Sequence, residues 1–178
     1  MLNDIERVCI TKEQIENRLN ELAEKINEDF GAEKLIVICV LRGAIMFFAD
    51  IFRRLNMDAR MAFLDVSSYG SKTESEGNVH LRYDLDADIE GENVLIVEDI
   101  IDSGNTLKYV LDLLKIRQPK TIKTCCLLDK ISRRKVNIVP DYTGFVIKDE
   151  FVVGYGLDYS EVYRNMNLVG VLKKEIYS

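Results

Sequence analysis

Apolar residues in this chain come in continuous runs separated by stretches with helical spacing, the pattern of parallel strands buried on both faces with helices between them. Leu35–Leu41, Arg60–Val66, Val94–Val97 and Thr121–Leu128 are such runs, and shorter ones at 145–147 and 151–154 read as further strands. Between them, Ile15, Leu19, Leu22 and Ile26 recur on one face of a helix that a Thr11/Gln14 capping box opens and Gly31 ends. Ile45, Phe48, Ala49 and Phe52 mark the inward face of a second helix, and Leu107, Val110, Leu111 and Leu114 that of a third. Strands near 35, 60, 94, 121 and 142 alternating with helices near 12, 44 and 106 predict an α/β fold, a mainly parallel twisted sheet flanked by helices and joined by right-handed crossovers.

From Ser67 to Asn78 the chain is small, polar and poor in apolar anchors, which predicts a mobile loop over about 67–80. Val79, Leu81 and Tyr83 then alternate with His80, Arg82 and Asp84, as in an exposed strand returning from that loop.

Candidate chemistry lies where strands end. In Val94–Leu107, VLIVEDIIDSGNTL, Glu98 and Asp99 follow a buried run directly, at the sheet edge where open α/β folds bind ligands. Adjacent carboxylates accept hydrogen bonds from a vicinal diol or hold a hard cation through its water shell. Asp102, Ser103, Gly104, Asn105 and Thr106 are small enough to turn tightly and offer backbone N–H groups to a phosphate at the start of a helix. A ribose 5-phosphate carries both diol and phosphate. The loop matches neither G-x-x-x-x-G-K-[ST] nor G-x-G-x-x-G, which excludes a P-loop and a dinucleotide fingerprint. Arg42, Gly43 and Ala44 after the second strand read equally as a second anion cradle or as a surface turn.

With 178 residues, 47% of them apolar, the chain suffices for one domain with its own core, taken as 1–178. A net charge of −6 argues against a nucleic-acid surface. No apolar run reaches about 18 residues and the first residues are polar, so no membrane association and a cytoplasmic location are expected. Cys9, Cys39, Cys125 and Cys126 lack C-x-x-C spacing and read as core residues in a reducing compartment, with Cys125 and Cys126 facing opposite sides of a strand. A lone histidine, His80, excludes a His-based zinc site and a Ser-His-Asp triad. Arg133, Arg134 and Lys135 read as a solvated turn.

Four apolar residues, Glu-Asp, two apolar residues and Asp-Ser-Gly-x-Thr together resemble the phosphoribosyl pyrophosphate signature of the type I phosphoribosyltransferase family, in its hypoxanthine(-guanine) branch. The resemblance runs from about Val8 to Leu172, with FVVGYGLDY as a second matching segment. It implies purine salvage: transfer of a 5-phosphoribosyl group from phosphoribosyl pyrophosphate to N9 of hypoxanthine or guanine, with Mg2+ as cofactor and release of pyrophosphate. It also implies a small hood built from terminal segments, a homodimer or homotetramer, and a loop that closes over the reaction with Ser68 and Tyr69 at its tip.

Residue roles follow from the same resemblance. Glu98 and Asp99 would orient the ribose diol and, with Asp158, hold magnesium. Ser103, Gly104, Asn105 and Thr106 would hold the 5-phosphate. Leu41, Arg42, Gly43 and Arg164 would bind pyrophosphate, the peptide before the basic residue often being cis in the family. Asp102 would manage the proton at N7 of the purine. Lys130 would donate to the oxygen at position 6, Phe151 would stack on the base, Val152 would bind it through its backbone, and Ile100 would pack beneath it. Two other classes fit parts of the chain: a regulatory module that keeps this fold and senses nucleotide or binds RNA, and a receiver domain phosphorylated on aspartate, which leaves the Ser-Gly-Asn-Thr loop unexplained.

Overall fold

The computed structural model describes residues 1–68 and 79–178. In chain order its elements are β1 (Ile5–Ile10), α1 (Lys12–Phe30), β2 (Leu35–Leu41), α2 (Ile45–Phe52), β3 (Ala59–Ser68), β4 (Val79–Tyr83), β5 (Asn93–Ile101), α3 (Asn105–Lys115), β6 (Thr121–Asp129), β7 (Tyr142–Val146), β8 (Val152–Val153), β9 (Val169–Leu172) and α4 (Lys174–Tyr177). Two short 3-10 turns lie at Leu2–Asp4 and Ile131–Arg133.

Residues with no polar face to offer water must be covered on both sides, and the apolar runs are. They form a sheet in the order β4-β3-β2-β5-β6-β7, in which every neighbouring pair is parallel except the antiparallel pair β3–β4. Val37, Cys39, Leu95, Val97, Cys125 and Leu127 face a core shared with α1 and α2. Ile36, Ile38, Val40, Val94, Ile96 and Cys126 face the opposite core, which α3 covers with Leu107, Val110 and Leu114. Cys125 and Cys126 thus point to opposite sides, as alternation requires.

Helix α1 begins at the expected capping box: the Thr11 side chain accepts from the Gln14 amide at 3.2 Å, and the Gln14 side chain accepts from the Thr11 amide at 2.8 Å. In α2 the inward stripe is Ala44, Phe47, Phe48 and Ile51, while Ala49 is exposed and Ile45 and Phe52 are half-buried. So short an apolar helix holds too few turns to fix its phase by pattern, and the i, i+3, i+4, i+7 stripe starting at Ala44 is the one the sheet covers.

Three expectations about boundaries are corrected. Strand β5 continues past Val97 to Ile101, because β6 keeps pairing with it through Ile101↔Asp129. Ser67 and Ser68, counted to a mobile loop, pair with His80 and Val79 of the expected returning strand, so Ser68 closes a strand instead of standing at a loop tip. Tyr69 lies outside the described residues. The strand expected at 151–154 is only Val152–Val153, with Phe151 ahead of it. The strand expected near 142 starts at Tyr142 and ends at Val146.

A second, three-stranded sheet in the order β1-β9-β8 joins the two ends of the chain, with Ile5 opposite Leu172, over a small cluster of Val153, Tyr163, Met166 and Leu172. Among the described residues, no helix is long and apolar enough to cross a membrane.

Candidate active site

The site begins at a step in the sheet. β2 pairs with β5 only as far as Cys39↔Val97, whereas β6 goes on pairing with it to Ile101↔Asp129. Glu98 and Asp99 therefore emerge where β5 outlasts one neighbour. Glu98 is 7% exposed, and its Oε2 is buried without a hydrogen-bond partner. Burial, and then the charge of Asp99, push its carboxyl well above the ordinary range. Burial also raises Asp99, to about 6, against the pull of the Ile100 and Asp99 backbone amides and the Arg164 charge, while Asp158 pushes it further up. A half-satisfied carboxylate pair at this depth is costly and calls for a cation or hydroxyl donors.

Beyond Ile101 the chain turns through Asp102, Ser103 and Gly104 into α3. Gly104 is its N-cap, at φ +85°, where a Cβ would stand 2.8 to 3.0 Å from Val136, Ile138 and Arg134. Only glycine fits there at ordinary cost. With no side chain capping the helix, the first-turn amides lie at the loop, apart from that of Asn105, which donates to Ser103 Oγ at 3.3 Å. The Lys135 amide donates to the Ser103 carbonyl and the Lys130 amide to that of Ile101, both at 2.9 Å, so the segment after β6 fixes this loop.

The turn after β2 approaches from the other side. Its Leu41–Arg42 peptide is cis. At Gly43 a Cβ would stand 1.6 Å from Asp99 Oδ2, so the lack of a side chain is what lets the Asp99 carboxylate lie against this turn. Arg42 Nη1 lies 3.0 Å from Glu161 Oε2. Arg164 Nη2 lies 2.7 Å from Asp158 Oδ1 and 3.6 Å from Glu161 Oε2, and its Nη1 donates to the Gly156 carbonyl at 2.8 Å.

These loops enclose a cleft of about 730 Å³. Of the residues singled out in the sequence, it gathers Leu41, Arg42, Gly43, Glu98, Asp99, Ile100, Asp102, Ser103, Gly104, Asn105, Thr106, Asp158 and Arg164. Lys130, Phe151 and Val152 do not line it. Lys130 is buried at its rim, with Nζ 3.8 Å from Asp102 Oδ2 and 3.7 Å from Asp149 Oδ1. Phe151 is 38% exposed, stacked on Tyr177 with ring centroids 4.7 Å apart and meeting Tyr159 edge-on at 5.7 Å. Val152 is buried in β8.

Among the described residues, no three acidic, histidine or cysteine side chains stand close enough to hold a metal ion between them. Of the three acids that the resemblance assigns to magnesium, Glu98 and Asp99 are adjacent on β5, and Asp158, whose charge acts on Asp99, is engaged by Arg164 and by the Glu161 amide, at 2.7 and 2.9 Å. Magnesium needs no protein cage, since one or two carboxylates, waters and substrate phosphates complete its shell. The unpartnered Glu98 Oε2 beside Asp99 fits that donor set.

Several residues of the site escaped the sequence reading. Arg133, taken for part of a solvated turn, donates from Nε to Asp102 Oδ1 at 2.9 Å and reaches Asp149 at 3.3 Å. Arg134 is nearly buried and paired with Asp129. Glu161 and Tyr177 carried no pattern of their own. A signal for the arginines existed in retrospect, three cations following Lys130 in a chain whose nearest strand ends carry Asp102 and Asp129.

The model of the phosphoribosyl transferase domain family matches residues 10–160. The hypoxanthine-guanine phosphoribosyltransferase of Bacillus subtilis is 46% identical over 177 residues, covering 99% of this chain and 98% of that protein. The bifunctional protein TilS/HprT of Listeria monocytogenes is 47% identical over 178 residues, and the chain spans only 28% of its length. The crystal structure of a hypoxanthine phosphoribosyltransferase from Staphylococcus aureus superposes with a TM-score of 0.96 at 44% identity, over 100% of this chain and 97% of that one.

Proposed function

The chain belongs to the phosphoribosyltransferase family, and from that membership we propose that it transfers the 5-phosphoribosyl group of phosphoribosyl pyrophosphate to N9 of hypoxanthine and of guanine, a purine-salvage reaction. The observation that carries the reading is the convergence, in one cleft, of a buried acid pair, an uncapped helix start and two arginines from separate loops. Each matches one part of the donor: diol, 5-phosphate and diphosphate.

Glu98 and Asp99 accept hydrogen bonds from the ribose hydroxyls and fix the ring. Ser103, Gly104, Asn105 and Thr106 hold the 5-phosphate with amides and hydroxyls, assisted by the positive end of α3. Breaking the bond from C1 to the diphosphate leaves positive charge on the ribose and negative charge on the departing oxygens, which Arg42 and Arg164 stabilise. Magnesium, held by Glu98 and Asp99 with the substrate's own oxygens, would supply further charge neutralisation there. Asp102 takes up the proton change at N7 as N9 attacks, with Lys130 beside it to donate to the oxygen at position 6. Phe151, backed by Tyr177, offers a ring face to the base. The terminal sheet is then the hood over the base. A reducing cytoplasmic setting, supported by four free cysteines, and a homodimer or homotetramer belong to the same proposal.

Release of inorganic pyrophosphate from phosphoribosyl pyrophosphate, followed with and without base, tests the reaction. Release that begins on adding hypoxanthine supports transfer. Equal release without any base would mean hydrolysis and would contradict it.

A further inference from the structure

Two arginines from different loops, Arg42 and Arg164, converge in the cleft, and both already face an anion belonging to the chain. The Glu161 carboxylate lies 3.0 Å from Arg42 Nη1 and 3.6 Å from Arg164 Nη2. We propose that Glu161 is an internal stand-in for the substrate's diphosphate, occupying that subsite between turnovers, so that phosphoribosyl pyrophosphate displaces it on binding and departing pyrophosphate is replaced by it. The proposal rests on the reading of Arg42 and Arg164 as the diphosphate subsite.

The loop that presents Glu161 is built for the purpose. Ser160, Glu161 and Tyr163 have φ of +51°, +64° and +80°, left-handed values uncommon for residues other than glycine. Reciprocal hydrogen bonds between Tyr159 and Val162, at 3.3 and 3.1 Å, close the turn, and the Glu161 amide is pinned to Asp158 Oδ2 at 2.9 Å. Asp158 also holds Arg164. Glu161, Arg42, Arg164 and Asp158 therefore form one connected set, and a ligand that takes the arginines frees the Glu161 side chain while backbone hydrogen bonds keep the turn closed.

The exchange is favourable in direction. Glu161 is 67% exposed and Arg42 60%, so their pairing is a solvated, weak one. A diphosphate brings more charge and several oxygens to the same forks, and it wins the arginines when present. Once pyrophosphate has formed, the tethered carboxylate competes for the arginines it leaves and shortens its stay. In the ligand-free chain the same carboxylate keeps two converging cations paired.

Titration calorimetry of the full chain with inorganic pyrophosphate and magnesium, at fixed ionic strength, tests this. Glu161→Gln is expected to bind pyrophosphate about 3–10-fold more tightly than wild type, the gain from removing a competitor held by one or two exposed ion pairs. The KM for phosphoribosyl pyrophosphate should fall in step while that for hypoxanthine stays unchanged. Glu161→Asp, too short to bridge both arginines, should show a smaller gain in the same direction, and in an Arg164→Gln background the gain should shrink. A merely structural role would not produce tighter binding. Unchanged or weaker binding by Glu161→Gln, in a protein whose wild type binds pyrophosphate, would overturn the role of Glu161 alone. Failure of every variant and of the wild type to bind pyrophosphate would overturn the subsite reading with it.

Discussion

At the scale of residues, the site is set by carboxylates whose surroundings differ. Asp102 is half-buried, with one oxygen 2.9 Å from Arg133 Nε and the other 3.8 Å from Lys130 Nζ, so its carboxylate is held in one orientation at the cleft. Asp102→Asn should lower kcat by about 10²–10⁴ with little change in the binding of phosphoribosyl pyrophosphate, the loss expected for one acid–base group; single-turnover kinetics would show it, and full activity would remove Asp102 from proton transfer. Asp99 is raised from 3.8 to about 6 by burial, so the folded chain binds a proton there that the open chain has lost. Its stabilising contribution is complete below pH 3.8 and drains as pH rises through about 6, and Glu98 shifts in the same direction. Ligand-free Asp99→Asn is therefore expected to be more stable than wild type by about 1–3 kcal/mol at pH 8, the gap closing by pH 4, while its affinity for phosphoribosyl pyrophosphate falls. Thermal denaturation across pH checks this, and a gap that widened toward acid would contradict it.

At the scale of elements, the chemistry depends on where strands stop and how helices start. Gly104 shows the dependence: its left-handed φ and the close approach of Val136 and Ile138 leave no room for a side chain. Gly104→Ala should cost about 1–3 kcal/mol and weaken binding of phosphoribosyl pyrophosphate by displacing the loop, as denaturant unfolding and calorimetry would register. Unchanged stability and binding would show that the loop tolerates the methyl. The strands, the capping box of α1 and the acid–loop–helix order were legible in the sequence because each rests on local pattern. Phase and extent were less so. Ala49 and Phe47 exchanged places in α2 because eight residues hold too few turns to fix the apolar stripe. β5 ran on to Ile101 because its end is decided by pairing with β6, which no local pattern of β5 contains.

At the scale of the molecule, the cleft draws on residues from Val40 to Arg164, and its tertiary contacts were the least legible part. Arg133 reads as a solvated charge until the fold brings it to Asp102, and Glu161 has no signal until two arginines from distant loops meet it. Tyr177, at the end of the chain, reaches Phe151 only because β1, β8 and β9 tie the termini together. The resemblance supplied roles for Arg164, Lys130 and Phe151 that spacing alone does not carry. Sedimentation of the full chain is expected to give a homodimer or homotetramer, and a monomer at all concentrations would correct that part of the proposal. Transfer to 6-oxopurines is best followed by chromatography of the products formed from phosphoribosyl pyrophosphate, magnesium and each of hypoxanthine, guanine and adenine. IMP and GMP are expected from the first two and no nucleotide from adenine. A folded protein that binds phosphoribosyl pyrophosphate yet makes no nucleotide from any of the three would contradict that transfer.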